Sequence, residues 1–319
     1  MSRHTLSLAV AALLATASLV ACSKQDATAP AAAETATETA PAATPAPAAS
    51  EDAHPFMIGA LQAYALRDGT IDKANDGKTF ALGHPVEDVA AVLAAAGLPT
   101  DVFHLGVNPL LVQAGERVLL FDTGAGDAPW AQAGRLQAAL AAAGFSAGQV
   151  TDIFISHAHG DHVGGLLDAV GAPAFANAVV HLSAPEWAAL QADADAAALA
   201  GAIGPKVQAF APGASLVDGV VTAVPVDGHT AGHSAYEIAS GEQRLLYIGD
   251  TAHHAVVSLQ HPDWTIVFDG DAPLAEASRR ALLQRAADQG LALYAVHFPF
   301  PGLGRVQARD GGFAWVPAP

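Results

Sequence analysis

The chain has 319 residues, and its 14 Lys and Arg against 31 Asp and Glu give a formal net charge of -17 at pH 7. Because binding to a phosphate backbone depends on neutralisation by Lys and Arg, and no local basic stripe is visible, this charge argues against a nucleic-acid partner. The single cysteine excludes an intramolecular disulfide and a thiolate-rich metal cluster, so a metal site would need nitrogen and oxygen ligands. The 14 histidines are the feature to explain.

Residues 1–21 are typical of a secretory signal peptide. A basic start precedes an apolar run over residues 6–20, which is shorter than the roughly 20 apolar residues of a membrane span. The Leu-Val-Ala-Cys sequence that ends at Cys22 resembles a bacterial lipobox, in which the cysteine is lipidated; an ordinary signal peptide with an incidental cysteine is the alternative. We expect an exported, periplasmic-side lipoprotein that meets the membrane through its lipid anchor only. Ser23 favours the outer membrane.

Residues 22–53 predict a disordered tether behind the lipidated cysteine. From residue 23 onward the segment consists mainly of Ala, Pro, Thr and Glu, with almost no large apolar side chain. Such a composition cannot bury enough surface to offset the entropy lost on ordering. Residues 54–319 are long enough for one sizeable α/β domain.

Within that domain, short apolar runs typical of strands alternate with alanine-rich stretches typical of helices. The predicted strands are 105–112, 117–121, 152–155, 179–182, 220–226, 245–248, 265–268 and 291–296. The predicted helices are 86–96, 132–143, 185–199 and 273–289. This mixture predicts sheets that are covered by helices.

We single out five predicted strands that are followed within three residues by an aspartate or a histidine. The residues concerned are Asp122, the segment 157–162, His229, Asp250 and His297. Ligand sites of α/β sheets gather beyond the carboxyl ends of the strands, so these side chains are expected to converge.

The segment 157–162 holds four side chains that can bind a metal. His157 and His159 are two positions apart, so in an extended backbone they point the same way and can share one ion. Gly160 permits a sharp turn, which can direct Asp161 and His162 toward a second ion. Four such side chains in six residues predict a metal site.

This segment, His-Ala-His-Gly-Asp-His, resembles the HxHxDH signature of the metallo-β-lactamase fold superfamily. Asp122-Thr123-Gly124 is similar to the upstream Asp motif of that family, and the segment 228–233 to its third metal motif. Asp250 and His297 stand where the family has its bridging aspartate and its last ligand. The resemblance spans about residues 55–319 and implies an α/β fold, the four-layer αββα sandwich.

The resemblance also implies two metal ions and the residues that bind each of them. The implied ligands are His157, His159 and His229 for the first ion, Asp161, His162 and His297 for the second, and Asp250 as the bridge between them. Asp122 is expected to brace the histidine loop without touching metal. For His233 the same supporting role and a surface position are both open.

This ligand set favours hydrolysis. Nitrogen and oxygen ligands without thiolate suit Zn(II) first, with Mn(II), Fe(II) or Co(II) as alternatives. His159 stands where flavo-diiron relatives have a carboxylate, which argues against a redox site. Two ions that share a water lower its pKa toward about 7 and supply a metal-bridged hydroxide that attacks the substrate. Asp161 and Asp250 are the predicted catalytic residues, since Asp161 can also orient the nucleophile or move its proton.

The choice of substrate rests on weaker signals. The tail around residues 297–304 and 313–317 is similar to methyl parathion hydrolase and its relatives, including lactonases. Phe298 and Phe300 either wall an apolar leaving-group pocket or belong to the core. His253 and His254, close after Asp250, either contact substrate or form a polar rim.

The leading interpretation is a lipid-anchored binuclear hydrolase of small esters, lactones or phosphotriesters. An acyl-homoserine lactone lactonase is the main alternative. A β-lactamase is disfavoured because the implied bridging Asp250 is foreign to that group and residues 54–319 lack cysteine. A metal-binding lipoprotein without catalysis is a further alternative. The oligomeric state is open, and a homodimer is one of the options.

Overall fold

The computed structural model describes residues 49–217 and 219–318. The predicted signal peptide, the lipidated Cys22 and the tether up to residue 48 lie outside the described residues, so export and anchoring stay predictions. None of the helices in the described part of the chain is both long enough and apolar enough to span a bilayer.

The described residues form strands, α-helices and a few single turns of 3₁₀ helix. The strands are β1 (Ala53–Ile58), β2 (Leu61–Leu66), β3 (Gly69–Ala74), β4 (Val102–Val107), β5 (Leu110–Ala114), β6 (Arg117–Phe121), β7 (Asp152–Phe154), β8 (Val179–Ser183), β9 (Val207–Phe210), β10 (Val221–Pro225), β11 (Ser234–Ser240), β12 (Gln243–Tyr247), β13 (Ala292–Tyr294), β14 (Leu303–Arg309) and β15 (Gly312–Pro317). The α-helices are α1 (Val86–Ala95), α2 (Leu136–Ala142), α3 (Gly160–Val163), α4 (Ala184–Ala192), α5 (Ala197–Ile203), α6 (Val257–Gln260) and α7 (Ala272–Gln289).

Two sheets form the centre of the fold. The first has seven strands in the order β1-β2-β5-β6-β7-β8-β9, and the second has six in the order β10-β11-β12-β13-β14-β15. Strands β6 to β9 run parallel to one another, and β12 pairs with β13 in parallel as well. The carboxyl ends of β6 and β7 therefore lie side by side, and so do those of β12 and β13.

The core between the sheets follows the alternation of side chains along each strand. Phe121 and Phe154 of the first sheet stack with ring centroids 5.0 Å apart and meet Tyr236 of the second sheet, 5.6 Å from each. The adjacent residues Leu120 and Ile153 face the other side, where α2, α4 and α5 pack.

Helix α7 covers the outer face of the second sheet, where its Leu282 and Leu283 pack with Leu246 and Leu293. Helices thus lie on both outer faces of two stacked sheets. The prediction of a four-layer αββα sandwich is confirmed.

A two-stranded hairpin of β3 and β4 lies beside this sandwich. Its buried residues Ile71, Phe103 and Leu105 pack with Val89 and Leu93 of α1 in a separate apolar cluster. The prediction of one strand over 105–112 is wrong, because the chain leaves the hairpin after Val107 and enters the first sheet only at Leu110. Pro109 has no N–H for a ladder, which explains the break.

Three further sequence predictions need correction. Residues 265–268 do not form a strand: Leu82 N donates to Thr265 O and Val267 N to Thr79 O, but only an isolated bridge results. The helix predicted over 185–199 is divided between α4 and α5, because the Asp193 carboxylate accepts the N–H of Asp195 in a local turn.

The helix predicted over 132–143 begins only at Leu136. Gly134, with φ of 94°, is outside the helical region, and the buried Asp68 carboxylate accepts the N–H groups of Gly134 and Leu136. Asp68 also accepts the N–H of Ala125, so one carboxylate fixes the start of α2 and the loop after β6.

Asp152 at the start of β7 offers a test of the fold. Its buried carboxylate accepts hydrogen bonds from His181, Arg117 and Thr151. Burial opposes its ionisation, but these three donors hold the pKa of Asp152 well below its usual range. The carboxylate therefore stabilises the fold above its unfolded-state pKa of about 3.9, and this stabilisation is lost as the pH falls through the lower folded-state pKa.

We predict that Asp152→Asn lowers the free energy of unfolding at pH 7 by about 2–3 kcal/mol, since a buried charge-assisted network loses its anion. The difference from the wild type should shrink as the pH falls below about 4. Urea unfolding at several pH values measures both effects, with the exposed Asp101→Asn as control. A difference that is constant down to pH 2 would contradict this assignment.

Candidate metal centre

Four atoms of the first predicted group converge beyond the ends of β7, β10 and β12. His157 Nε2 lies 2.9 Å from His159 Nδ1, and His229 Nε2 lies 3.3 and 3.2 Å from these two atoms. Asp250 Oδ2 is 3.4 Å from His157 Nε2 and 3.3 Å from His229 Nε2. Ligands at about 2.0–2.1 Å around a tetrahedral zinc ion are about 3.3 Å apart, so these atoms have the spacing of one coordination shell.

The second predicted group is adjacent and looser. His162 Nε2 and His297 Nε2 lie 3.0 and 2.9 Å from Asp250 Oδ1. Asp161 completes the group, with its oxygens 3.8 Å from His162 Nε2 and 3.6 Å from His297 Nε2. Its side chain is 17% exposed, whereas the two imidazoles are buried. One face of this group is therefore open.

Asp250 lies between the two groups and turns one carboxylate oxygen to each. Its backbone is held by a hydrogen bond of 2.9 Å from its own N–H to His233 Nε2. Gly249 before it has φ of 48° and no room for a Cβ, which would meet His233 Nε2 at 2.7 Å. The buried His233 thus supports Asp250, and the surface alternative for His233 is excluded.

Three imidazoles are oriented through their second nitrogen. These bonds, each 2.7 Å long, join His162 Nδ1 to Asp122 Oδ2, His229 Nδ1 to Asp269 Oδ1 and His297 Nδ1 to the carbonyl oxygen of Gly106. Because each acceptor is an oxygen without a hydrogen, Nδ1 carries a proton and Nε2 is the nitrogen that faces the site. The tautomer that a metal ligand needs is therefore fixed in advance.

Asp122 links three strand ends around the site. It accepts the N–H and the hydroxyl of Ser156 and the hydroxyl of Tyr247, each at 2.7 Å, besides the bond from His162. Its φ of 56° is in the left-handed region, which Asp tolerates better than most residues. Asp122 touches the outer side of the histidine loop and lies behind the candidate ligands.

The charges of the cluster are strongly coupled. Burial lowers the pKa of His159 to about 4, and that of His157 falls well below its usual value. Burial has the same effect on His229, but Asp250 and Asp269 outweigh it and raise the pKa of His229 to about 9. The surrounding histidines hold the pKa of Asp250 well below its usual range against the effect of burial. A buried anion therefore lies among imidazoles that can yield their protons to a metal cation.

Within the described residues, buried polar atoms without a hydrogen-bond partner support the interpretation of this cluster as a metal centre. His162 Nε2, His297 Nε2 and Asp250 Oδ1 are buried and have no hydrogen-bond partner there. Buried polar atoms nearly always have one. These atoms lie close together within the two candidate groups, and nitrogen and oxygen atoms are suitable ligands for divalent metal ions.

A cavity of about 330 Å³ opens onto the two groups. Its walls are Ile71, Lys73, Leu105, Trp130, His159, Gly160, Asp161, Asp250, His253, Phe268 and His297. His253 belongs to them, as expected for a pocket residue, and its Nε2 lies 3.0 Å from Asp250 Oδ2. The cavity thus combines candidate metal ligands with apolar walls.

Three expected pocket residues are not part of this cavity. His254 turns away from it: its Nδ1 accepts the N–H groups of Val256 and Val257 at the start of α6, and its ring lies against Phe103. The prediction that His254 faces the cavity is wrong, because its ring nitrogen satisfies the backbone of the following turn.

Phe298 and Phe300 do not wall the cavity either. The chain turns sharply after His297, with Gly302 N donating to Pro299 O, and carries Phe298 below the second sheet against Trp315. Phe300 lies under the Arg67 guanidinium, 4.5 Å from its ring centroid. The alternative that Phe298 is core is therefore correct.

Sequence reasoning missed two carboxylates that hold the site. Asp269 binds His229 and also pairs with Arg279 at 2.7 Å. It directly follows the apolar run 265–268, so the pattern that singled out the other aspartates was present here too. Glu186 accepts the N–H groups of Ala158 and Gly232 and the hydroxyl of Thr230, and so ties the two histidine loops together. No local motif marks it.

We predict that Asp269 supports the binding of one metal ion and Asp122 the binding of the other. Asp269→Asn should weaken binding at the first group about 10–100-fold through His229, and Asp122→Asn should do so at the second group through His162. Stepwise chelator competition on the zinc-loaded protein measures the two affinities, with thermal unfolding as a check on folding.

Asp263→Asn is the control, since that side chain is 65% exposed. Equal loss of both ions in both variants, or no loss in either, would contradict the assignment of one brace to each group.

Comparisons with known proteins agree with this geometry. Two probable metallo-hydrolases, of Mycobacterium bovis and Mycobacterium tuberculosis, are each 28% identical over 207 residues, which cover 50% of this chain. The chain spans 65% of the length of these curated relatives.

Two solved structures are similar over nearly their whole length. AidC, described as a dizinc quorum-quenching lactonase in complex with the product N-hexanoyl-L-homoserine, has a TM-score of 0.78 and 32% identity, covering 84% of this chain and 98% of its own. The hydrolase AbOPH has a TM-score of 0.77 and 26% identity, covering 85% and 99%. The metallo-beta-lactamase superfamily profile matches residues 102–297. On this match and the similarity to AidC, the chain belongs to the metallo-beta-lactamase superfamily.

Proposed function

We propose that the protein is a binuclear, metal-dependent hydrolase that opens lactones and cleaves related small, neutral esters. The observation that carries the proposal is the placement of Asp250, whose Oδ1 faces His162 and His297 while its Oδ2 faces His157 and His229. One carboxylate that faces both groups would be suited to hold two ions, and the cavity borders it.

The residues of the site divide the work of hydrolysis. When bound, two zinc ions would supply Lewis acidity for the substrate oxygen and lower the pKa of a water toward about 7. Asp161 borders the cavity and lies at the open face of the second group, so its carboxylate can orient the attacking water and hold its proton. Asp250 keeps the two groups at a fixed separation, and the network behind it prevents rearrangement.

The cavity supports a small, neutral substrate. Its volume of about 330 Å³ suits a ligand of modest size, and Ile71, Leu105, Trp130 and Phe268 give it apolar walls. A net charge of -17 disfavours polyanions. The similarity to a dizinc lactonase, at 32% identity, supports lactones ahead of other esters.

The location of the activity is a separate proposal. We infer from the apolar run and the lipobox-like sequence before Cys22 that the hydrolase is exported and anchored by lipid on the periplasmic side. This inference has its support in the sequence alone.

The proposal predicts two metal ions per chain and hydrolysis that a chelator abolishes and zinc restores. Metal analysis is combined with a panel of a γ-lactone, an aryl ester, a phosphotriester and a β-lactam. We expect the lactone to be cleaved with the highest kcat/KM.

Three other results would each contradict part of the proposal. Bound metal without turnover of any substrate would favour a metal-binding protein, and preference for the phosphotriester or the β-lactam would replace the substrate class. Hydrolysis that a chelator does not affect would overturn the mechanism.

A further inference from the structure

Lys73 places an ammonium group at the mouth of the cavity between two aromatic rings. Its Nζ lies 5.9 Å from the centroid of the Trp130 ring and 5.8 Å from that of Phe268. A cation attracts the face of an aromatic ring within about 6 Å. Both rings are partly exposed, at 48% and 38%, which is unusual for side chains of this size. The three residues form an aromatic and cationic rim, here called the Lys73 rim.

The backbone holds two members of the Lys73 rim together. Strand β3 carries Ile71 and Lys73 on the same face, and both line the cavity. Thr70 N donates to Gln132 O at 3.0 Å, and Gln132 N donates to Thr70 O at 2.9 Å. These bonds tie β3 to the segment that carries Trp130, so the ammonium and the indole keep their relative positions.

The rim is also connected to the candidate metal ligands. Trp130 packs over Gly160, where a Cβ would lie 3.2 Å from its Cζ2 atom, between His159 and Asp161. Phe268 directly precedes Asp269, which orients His229. The rim is therefore positioned by the same residues that position the site.

Within residues 49–217 and 219–318, no carboxylate forms an ion pair with Lys73. Among the residues that the structure describes, the ion pairs of lysine include Lys78 with Asp76 but none with Lys73. The lining around it offers apolar walls and groups directed at the candidate metal ions. An ammonium group in such a place has donors for an acceptor on a bound molecule.

We propose that Lys73 determines substrate specificity by donating a hydrogen bond to a second carbonyl oxygen of the substrate, remote from the bond that is cleaved. Trp130 and Phe268 flank the apolar chain attached to that carbonyl. The favoured substrates are then lactones or esters that bear an acylamino group, ahead of simple alkyl lactones. This inference rests on the proposed hydrolase function and deepens it.

The test compares two lactones whose side chains have the same length and differ in the presence of the amide group. One is N-hexanoyl-homoserine lactone, and the other is α-heptyl-γ-butyrolactone, in which a heptyl chain replaces the acylamino chain. Lys73→Met keeps the unbranched chain up to the ε position and removes the ammonium group with its donors. We expect it to lower kcat/KM for the acylamino lactone about 10- to 100-fold, mainly through KM, since a charged donor is lost. For the heptyl lactone the change should stay within about twofold.

Lys73→Arg should recover most of the activity on the acylamino lactone, because it restores a charged donor. The matched control is Lys78→Met, whose side chain is 82% exposed and which should leave both substrates unchanged. Metal content and thermal unfolding of each variant separate a binding effect from a folding effect.

Three outcomes would overturn the inference. Equal loss on both lactones would make Lys73 structural, and no loss on either would make it irrelevant to binding. A wild-type protein that cleaves neither lactone would overturn the proposed function and this inference with it. The first two outcomes leave the proposed function intact and overturn the inference alone.

Discussion

The carboxylate of Asp250 is the group on which the rest of the site depends. It is almost fully buried, and burial of an unpaired charge would cost several kcal/mol. Five imidazole nitrogens lie within 3.4 Å of its two oxygens, those of His157, His162, His229, His253 and His297. The folded chain can tolerate the buried anion because protons held by the surrounding imidazoles balance its charge. A metal cation would replace these protons.

A second layer of carboxylates makes the arrangement rigid. Asp122, Asp269 and Glu186 each join segments that are far apart in the sequence, and each accepts N–H or O–H donors from a candidate ligand or its loop. These acids belong to the end of β6, the segment before α7 and the first turn of α4. Sheets and helices thus act together as a frame that fixes imidazole tautomers before any ion binds.

Much of the candidate site could be predicted from local sequence. An apolar run that ends in Asp or His is a short-range signal, so Asp122, His157 and Asp250 stood out without knowledge of the fold. The walls of the cavity could not be predicted in this way, because Lys73 reaches the site only through the pairing of β3 with β4 and with residue Gln132.

The errors have related causes. Nothing local indicates which way the chain turns after His297, so Phe298 was an equally good candidate for core and for pocket. Likewise, His254 is next to the lining residue His253 but faces the opposite side. Strand pairs such as β14 and β15 escaped notice because their half-exposed residues lack long apolar runs.

The most direct test of the central claim is anomalous diffraction at the zinc absorption edge from crystals of the zinc-loaded protein. Two peaks are predicted, one among His157, His159 and His229 and one among Asp161, His162 and His297. They should lie about 3.5–4 Å apart, each within bonding distance of one oxygen of Asp250. A single peak, or two peaks of which one has no contact with Asp250, would contradict the binuclear account.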